Sequence, residues 1–514
     1  MRIKNSIKNI YISILTQVII TLLGFISRRV FLDSLGSEYL GVNGLLTNVL
    51  SMLTLVEGGI GGSIVYNLYK PLAEDDRPRV IALVQLYKKI YGILAILIFV
   101  LSMALYPLLD ILVGDTSGIS NLEVVYFLFV FKNVISYLNA HKWSLINADQ
   151  KGYVLSRYNL LFNVITTISK ILVLSTTKNY VLYLVIEVSI FLIQNIWNGK
   201  IVNERYSYIK VNEKYEVDKE TKSTLSKNVK AMFLHNVGGY CVLGTDNILI
   251  STLINLKTVG LYSNYTMVIN QLKGLLTPLL DGIGASVGNL IATESKEKTY
   301  EIFNIVYFIN FWIYGFCSIV LFNLLEPFIE LWLGKGLLLD KFTFSVILLN
   351  FYITGLRSCV ITFKTKGGIF DNDKYVPIIE SIVNLVASII LAKLFGLVGI
   401  FLGTTISTIA IPFWLQPKLV YNNIFNKSFT EYLKKYFIYL TITLFTGIIT
   451  RIICSLININ NLFISLLIKG IVCVIIINFI FIIFLFTTNE FKYILKLVKN
   501  MLESLLLKIQ IKVN

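Results

Sequence analysis

The chain has 514 residues, of which 55% are hydrophobic and only 15% are charged, and its formal net charge is +16. A soluble globular domain carries about 25% charged residues, and here the apolar residues come in long blocks, so the composition excludes an ordinary soluble domain. The positive net charge indicates basic loops that face anionic lipid rather than a nucleic-acid-binding surface. With two histidines and five scattered cysteines, we expect neither an imidazole-based metal centre nor a disulfide framework.

Fourteen apolar blocks approach or exceed the length of about 20 residues that a helix needs to cross a bilayer. In chain order they cover 9–32, 39–66, 90–109, 122–140, 154–176, 180–199, 229–253, 259–291, 302–325, 342–363, 376–392, 396–416, 436–457 and 462–486. The segment that follows them places leucines and isoleucines on one helical face and lysines largely on the other, which predicts an amphipathic helix in the membrane interface. The sequence therefore predicts an all-α polytopic membrane protein with about 14 transmembrane helices.

The lysines and arginines predict the orientation of these helices. If the N-terminus is inside, 33 of the 46 basic residues lie in cytoplasmic segments and six in external loops. Cytoplasmic loops are the ones that carry an excess of Lys and Arg. We therefore expect a multi-pass protein of the bacterial cytoplasmic (inner) membrane with both termini in the cytoplasm.

Two parts of the chain, 36–114 and 255–334, are similar to each other. The segment "EYLGVNGLLTNVLSMLTLVEGGIGGSI" resembles "KTVGLYSNYTMVINQLKGLLTPLLDGIGASV", and "PLLDILVG" later matches "PFIELWLG" at nearly the same offset. The similarity continues at nearly the same offset through "INADQKGY" and "IFDNDKY", so each full repeat holds six spans. An even number of spans gives both repeats the same orientation. Two such lobes are related by an axis along the membrane normal, and transporters of this plan bind substrate between them.

The repeat also predicts the domain boundaries and the helices of the shared cavity. We expect an N-lobe with spans 1–6 at 1–200, a cytoplasmic linker at 201–227, a C-lobe with spans 7–12 at 228–418, spans 13–14 at 419–488 and the cytoplasmic amphipathic helix at 489–514. Spans 1, 2, 7 and 8 are expected to line the cavity.

Seven basic residues lie inside the spans. One arginine at a helix centre costs roughly 2.5–3.5 kcal/mol on insertion scales, so a purely structural bundle gives no reason to keep them. Six are candidates for a substrate-binding cavity: Arg28, Arg29, Lys132, Lys170, Lys273 and Arg357. The alternative for the adjacent arginines is that they snorkel to the outer interface, which would place them on the side that is otherwise nearly free of positive charge.

Acidic residues inside the spans are candidates for gating or ion coupling. Glu57 lies in "LVEGGIGGSIVYN", and Asp281 lies in the equivalent "TPLLDGIGASVGN". Glycine and proline in these segments indicate either tight packing or a bend that lets each lobe rock. Asp246 occupies the position in the second repeat that Arg29 occupies in the first, which predicts a contact between the lobes in one state.

The two six-span lobes, "GFISRRVFLDSLG" at the end of span 1, the span 2 segment and the basic "LYKPLAEDDRPRV" loop resemble the Wzx-type polysaccharide flippases. These belong to the multidrug/oligosaccharidyl-lipid/polysaccharide exporter superfamily, together with the lipid II flippases. The resemblance implies alternating-access translocation of undecaprenyl-pyrophosphate-linked oligosaccharide for surface polysaccharide biosynthesis, such as capsule or O-antigen export. It also implies a cationic central cavity and maps the arginine near the end of span 1 in lipid II flippases onto Arg28 or Arg29.

The expected partners are thus a lipid-linked anionic oligosaccharide, the bilayer and a polysaccharide polymerase, with no nucleic acid and no cofactor. An ion gradient or the membrane potential stays open as the energy source. A lipid II flippase and a drug/cation antiporter of the same superfamily remain alternatives, although an antiporter would favour an acidic cavity. A membrane glycan polymerase or ligase is the enzyme alternative, and it would be expected to have a large external loop, which the sequence lacks.

Overall fold

The computed structural model describes residues 2–57, 60–113, 119–149, 151–211, 213–218, 223, 244–369, 373, 375–497 and 499–500. Within these ranges, backbone alone is described at 2–16, 56, 62–64, 66, 278–286, 288–289 and 292–293. Residues 212, 219–222 and 224–227 of the predicted linker, the first part of predicted span 7, the side chain of Asp281 and residues 501–514 of the predicted amphipathic helix therefore lie outside the described part.

The α-helices of the described part follow the predicted spans closely. They are α1 (Arg2–Leu53), α2 (Ile60–Ala73), α3 (Arg77–Leu105), α4 (Leu109–Val113), α5 (Leu122–Tyr137), α6 (Ala140–Ala148), α7 (Tyr153–Thr177), α8 (Tyr180–Arg205), α9 (Asp246–Leu253), α10 (Leu256–Thr293), α11 (Lys296–Leu333), α12 (Lys341–Lys366), α13 (Val376–Phe395), α14 (Leu397–Ala410), α15 (Pro412–Val420), α16 (Phe429–Leu456) and α17 (Leu462–Leu485). In this part of the chain nine helical stretches are long and apolar enough to cross a membrane, or ten if the bent pair α5–α6 counts as one span. The prediction of an all-α, multi-pass membrane fold is confirmed.

The chain forms two compact units. The first comprises Met1–Pro278 and Lys374–Gly403, and the second comprises Leu279–Asp373 and Thr404–Asn514. The chain passes between the units three times: inside α10, after Asp373 and inside α14. The lobe boundaries predicted from the repeat stay a prediction.

The first two spans depart from straight helices at two places. At Gly36 the backbone adopts φ 85°, which bends α1 between predicted spans 1 and 2, and only glycine enters this region without steric cost. The helix of span 2 is then interrupted by a 3₁₀ turn at Thr54–Glu57 before α2 begins. The equivalent segment of the second repeat, around Pro278, lies inside the continuous helix α10.

Two glycines that the repeat places in equivalent positions pack the first unit together. A Cβ atom on Gly41 would lie 2.2 Å from the carbonyl oxygen of Leu256, and one on Gly260 would lie 2.1 Å from that of Ser37. Positions 37 and 41 correspond to 256 and 260 in the repeat, so the contact is reciprocal. Reciprocal contacts of this kind are what a local twofold relation produces.

The core of the second unit is rich in aromatic side chains from α11, α12, α16 and α17. Phe491, in the first turns of the predicted amphipathic helix, stacks on Trp312 with ring centroids 6.0 Å apart. The neighbouring Glu490 forms an ion pair of 2.6 Å with Lys435. This predicted interfacial helix therefore begins by packing on the core of the protein.

Candidate functional site

The first unit contains a polar cavity of about 230 Å³ between α1, α7, α8 and α10. Its lining residues are Ile20, Gly24, Ser27, Arg28, Phe31, Leu40, Asn43, Asn163, Thr167, Lys170, Tyr183, Met267 and Gln271. Two of the six predicted cavity cations, Arg28 and Lys170, thus face one space. Predicted spans 1, 2 and 8 contribute to it, span 5 contributes through the predicted Lys170, and the contribution of span 6 is not predicted from the sequence. The cavity shared by the two lobes stays a prediction.

Arg28 reaches the cavity from α1. Its Nη1 donates a hydrogen bond of 2.9 Å to Oγ of Ser263 on α10. A serine hydroxyl is a neutral acceptor, so this bond orients the guanidinium without cancelling its charge. The remaining face of the guanidinium suits two oxygens of one phosphate or carboxylate.

A shared carboxylate joins α5, α7 and α8. Glu187 accepts a hydrogen bond from Lys132 at one oxygen and from Lys170 at the other. The Lys170 side chain is 15% exposed, whereas that of Lys132 is 39% exposed. The ammonium of Lys170 also lies 4.2 Å from the centroid of the Tyr183 ring, which is a cation–π geometry.

We refer to Arg28, Lys132, Lys170 and Glu187 as the charged cluster. Three members are cationic and one is anionic, so the cluster carries two surplus positive charges. Charges taken out of water are retained at low cost only when they are paired. The arrangement therefore favours an anionic ligand in the cavity.

Uncharged side chains complete this site. The amides of Gln17 and Gln271 are hydrogen-bonded to each other across α1 and α10. The hydroxyl of Thr21 donates to the same Gln271 oxygen at 2.9 Å. Asn163 and Thr167 reach the cavity from α7, so donors and acceptors are available on three helices.

Arg29, the neighbour of Arg28, has different surroundings. Its Nε forms an ion pair of 2.8 Å with Asp33, one turn further along α1, and its side chain is 45% exposed. The contact between Arg29 and Asp246 that the repeat suggested stays a prediction. Lys273 lies on α10, half-buried, and its carbonyl accepts a hydrogen bond from Thr277.

The candidate acidic residues occupy polar surroundings in the first unit. Glu57 accepts hydrogen bonds from the hydroxyl of Tyr91 at 3.0 Å and from that of Tyr137 at 3.3 Å. Asp246 is buried, and one of its oxygens accepts a bond of 3.4 Å from Tyr262 while the other has no hydrogen-bond partner. Both are thus held at defined positions, and their roles in gating or coupling stay predictions.

Arg357 belongs to the second unit. Its Nε donates a hydrogen bond of 2.8 Å to Oε1 of Gln416, whose amide nitrogen lies 3.5 Å from a carboxylate oxygen of Asp373. The same Asp373 oxygen binds the ammonium of Lys364. Asp373 is therefore paired directly with Lys364, and Gln416 stands between Asp373 and Arg357.

In the charged cluster only Glu187 is absent from the predicted site residues, whereas Lys364, Asp373 and Gln416 near Arg357 are all absent from them. Lys364 was assigned to a cytoplasmic loop, whereas it is buried in a pair with Asp373, nine residues away. The contact between Lys170 and Glu187 had a usable signal. Both lie equally far from the α7–α8 turn at Lys178 and Asn179, and antiparallel helices bring such positions together.

In the part of the chain that the structure describes, no group of three or more His, Cys, Asp or Glu side chains could hold a metal ion. The described cysteines include Cys454 and Cys473, whose sulfurs lie 3.7 Å apart in the apolar core of the second unit. Neither observation assigns a cofactor.

No family model and no curated protein matches this sequence. Its fold, in contrast, is similar to solved transporters. A lipid II flippase MurJ in an inward closed conformation has a TM-score of 0.65 at 14% identity, and the match covers 91% of this chain and 98% of that one.

Two further neighbours are a mutant form of the Vibrio cholerae MATE transporter VcmN and a transporter of the MOP superfamily from Pyrococcus furiosus that is reported to have a binding pocket of reverse polarity. Each has a TM-score of 0.58 at 12% identity. The matches cover 82% of this chain and 98% of the Vibrio transporter, and 83% of this chain and 97% of the Pyrococcus one. The chain therefore has the fold that MurJ shares with MATE transporters of the MOP superfamily.

Proposed function

We propose that this protein is a flippase that moves anionic lipid-linked oligosaccharides across the cytoplasmic membrane by alternating access. The observation that carries the proposal is the surplus of positive charge in the charged cluster beside the cavity of the first unit. The fold that the chain shares with transporters, one of them a lipid II flippase, supports the same class of activity.

The chemistry of the cluster fits a pyrophosphate better than a single carboxylate. Arg28 offers a planar fork of donors for two phosphate oxygens, and the lysines add compact point charges that a second phosphate could approach. Positive charge of this kind is expensive in the membrane without a counter-ion. The cargo would supply that counter-ion during each cycle.

Two other kinds of transporter fit the fold, a drug/cation antiporter and a lipid II flippase. A drug/cation antiporter would favour a cavity of negative charge, and the cationic surplus argues against it. The Pyrococcus furiosus neighbour, with its reverse-polarity pocket, supports the view that this fold does not fix the charge of the cargo. Lipid II presents the same pyrophosphate chemistry, and the likeness to MurJ favours it as the second candidate.

Energy coupling belongs to the proposal as well. Asp246 has an oxygen without a hydrogen-bond partner, and Glu57 lies between two tyrosine hydroxyls beside the break in span 2. We assign these two residues to ion coupling and gating. Asp281, at the equivalent position of the second repeat, lies outside the described side chains and keeps the role that the repeat predicts.

The test is complementation of a flippase-deficient bacterial strain, with surface polysaccharide measured at matched protein levels. Arg28→Lys keeps the charge but loses the planar fork, so we expect reduced export, and we expect less export still from Arg28→Ala. Arg205→Ala is the control, because this arginine is exposed at the end of α8. Export by Arg28→Ala equal to that of Arg205→Ala would reject the proposal.

A further inference from the structure

A second cavity lies in the first unit, between α5, α6, α7 and α8. Its volume is about 560 Å³, which falls within the range of about 300–1,000 Å³ for small-molecule sites. It is lined by Ser136, Trp143, Asn147, Gly152, Tyr153, Leu155, Ser156, Asn159, Phe191, Gln194, Asn195 and Asn198. None of these lining residues, all of which the structure describes, is charged, and we name this space the amide pocket.

The amides of this pocket are held in place by each other. The side-chain Oδ1 of Asn159 accepts hydrogen bonds from Nε2 of Gln194 at 2.8 Å and from Nδ2 of Asn198 at 2.7 Å. The Asn195 amide donates to the carbonyl of Ile135 at 3.2 Å. These bonds fix the orientations of the amides, so the pocket is preorganised.

One acceptor in the pocket has no partner. The side chain of Asn198 is about 95% buried, and its Oδ1 has no hydrogen-bond partner. Buried polar atoms are normally satisfied, and an orphaned one calls for an explanation. Asn198 donates its amide nitrogen to Asn159 and keeps this oxygen unpaired within the wall of the pocket.

Three aromatic side chains add apolar faces among these amides: Trp143, Tyr153 and Phe191. A neutral sugar ring presents both kinds of surface, since each hydroxyl donates and accepts one or more hydrogen bonds while the C–H face is apolar. Amide groups match the hydroxyls because they also donate and accept. A phosphate or an acidic sugar would find no counter-charge among the lining residues.

The amide pocket lies next to the charged cluster along the same helices. Asn159 lines the amide pocket and Asn163 lines the charged cavity, one turn and about 6 Å apart along α7. On α8, Gln194 and Glu187 are seven residues and about 10 Å apart. These spacings are those of a sugar and the pyrophosphate to which it is directly attached.

We propose that the amide pocket binds a neutral sugar ring of the cargo, a hexose or an N-acetylhexosamine, while the charged cluster holds the pyrophosphate. The inference rests on the proposed function, which it deepens by assigning a second subsite and a sugar class. It predicts that the sugar attached to the lipid pyrophosphate carries no acidic group.

The test uses the purified full chain in lipid nanodiscs and the soluble probe methyl N-acetyl-β-D-glucosaminide, with methyl β-D-glucuronide as the acidic comparator. For a ligand of this size we expect a Kd of about 1 mM, read as a saturable change in tryptophan fluorescence. Trp143→Phe should abolish the change, whereas Trp332→Phe, in the second unit, should retain it. Asn159→Leu and Gln194→Leu should each weaken binding about tenfold, and Asn423→Leu, at an exposed position of the second unit, should leave it unchanged.

Absence of a saturable signal in the wild-type chain, equal binding of the glucuronide, or full binding by both Asn159→Leu and Gln194→Leu would overturn the inference. The same change in tryptophan fluorescence, produced without glycoside when phosphatidylglycerol replaces phosphatidylcholine in the nanodisc, would assign the pocket to a lipid headgroup. That result would also overturn the inference. These outcomes are separate from the failure of the proposed function. That failure would appear as normal export by Arg28→Ala while the glycoside still binds.

Discussion

The two units of the molecule hold their buried charges in different ways. In the first unit, Glu187 is shared by two lysines and Arg28 is bonded to a neutral serine. In the second unit, Lys364 and Asp373 form a one-to-one pair whose side chains are 4% and 0% exposed. The one-to-one pair cancels its own charge, whereas the shared carboxylate leaves a surplus next to a cavity.

This difference separates a structural role from a binding role. A buried pair with matched charges needs nothing from outside, and breaking it leaves one charge exposed to an apolar core. A cluster with surplus charge is incomplete until an ion of opposite sign arrives. Substitutions in the two clusters should therefore affect different properties of the protein.

The largest expected effect is on stability in the second unit. Asp373→Asn leaves the ammonium of Lys364 buried without its counter-charge, which should lower the free energy of unfolding by about 3–5 kcal/mol. Thermal unfolding of the purified protein in detergent measures this loss. Glu204→Gln is the control, because Glu204 and Lys200 form an exposed pair. An unchanged melting temperature for Asp373→Asn would contradict the structural role.

The next effect is on transport in the first unit. Lys132→Met leaves Lys170 and Glu187 as a one-to-one pair and so converts the shared carboxylate into the arrangement of the second unit. A hydrogen bond from Lys132 to a phosphate of the cargo would contribute about 1.5–3 kcal/mol to cargo binding. Without this bond, export should fall about tenfold. Because Lys132 is 39% exposed, the melting temperature should change little. A large loss of stability with normal export per molecule would reverse the assignment of the two clusters.

A smaller effect is expected where Lys170 meets an aromatic ring. Tyr183→Leu removes the cation–π contact, which contributes about 0.5–2 kcal/mol. Tyr183→Phe keeps the ring and is the matched variant. We expect a lower melting temperature for the leucine variant alone, measured by the same thermal unfolding. Equal loss in both variants would assign the effect to the hydroxyl instead.

The smallest effect is expected at Arg29. Its exposed pair with Asp33 is an i,i+4 contact, which contributes about 0.3–0.5 kcal/mol. Arg29→Ala should therefore reduce export far less than Arg28→Ala in the complementation assay. A defect as large as that of Arg28→Ala would show that both arginines serve the cargo.

The sequence predicted the helices well because hydrophobic blocks of bilayer length have few alternative structures in a membrane. It also predicted the equivalence of Gly41 and Gly260, which the reciprocal contact of these glycines with Leu256 and Ser37 supports. The glycines around Glu57 indicate either tight packing or a bend, and a 3₁₀ turn at Thr54–Glu57 interrupts the helix there. The same two interpretations applied to the equivalent segment around Pro278, but there the helix α10 continues without a break.

The partners of the charged residues were harder to predict. Lys132 and Glu187 are 55 residues apart and meet only because α5 and α8 are neighbours. Lys364 follows the apolar block 342–363, so hydropathy predicts a loop cation, whereas α12 continues to Lys366 and Lys364 pairs with Asp373. Hydropathy shows where a helix crosses, but it does not show which face meets which neighbour, so side-chain pairing required the structure.

The central claim is that the surplus charge of the first unit binds the pyrophosphate of a lipid carrier. The most direct test is the binding of undecaprenyl pyrophosphate to the purified chain in nanodiscs, compared with the uncharged undecaprenol. We expect the wild-type chain to bind the pyrophosphate at least about tenfold more tightly than the alcohol, and we expect Arg28→Gln combined with Lys132→Met to lose that preference. A preference that is absent in the wild-type chain, or that survives unchanged in the double variant, would contradict the account.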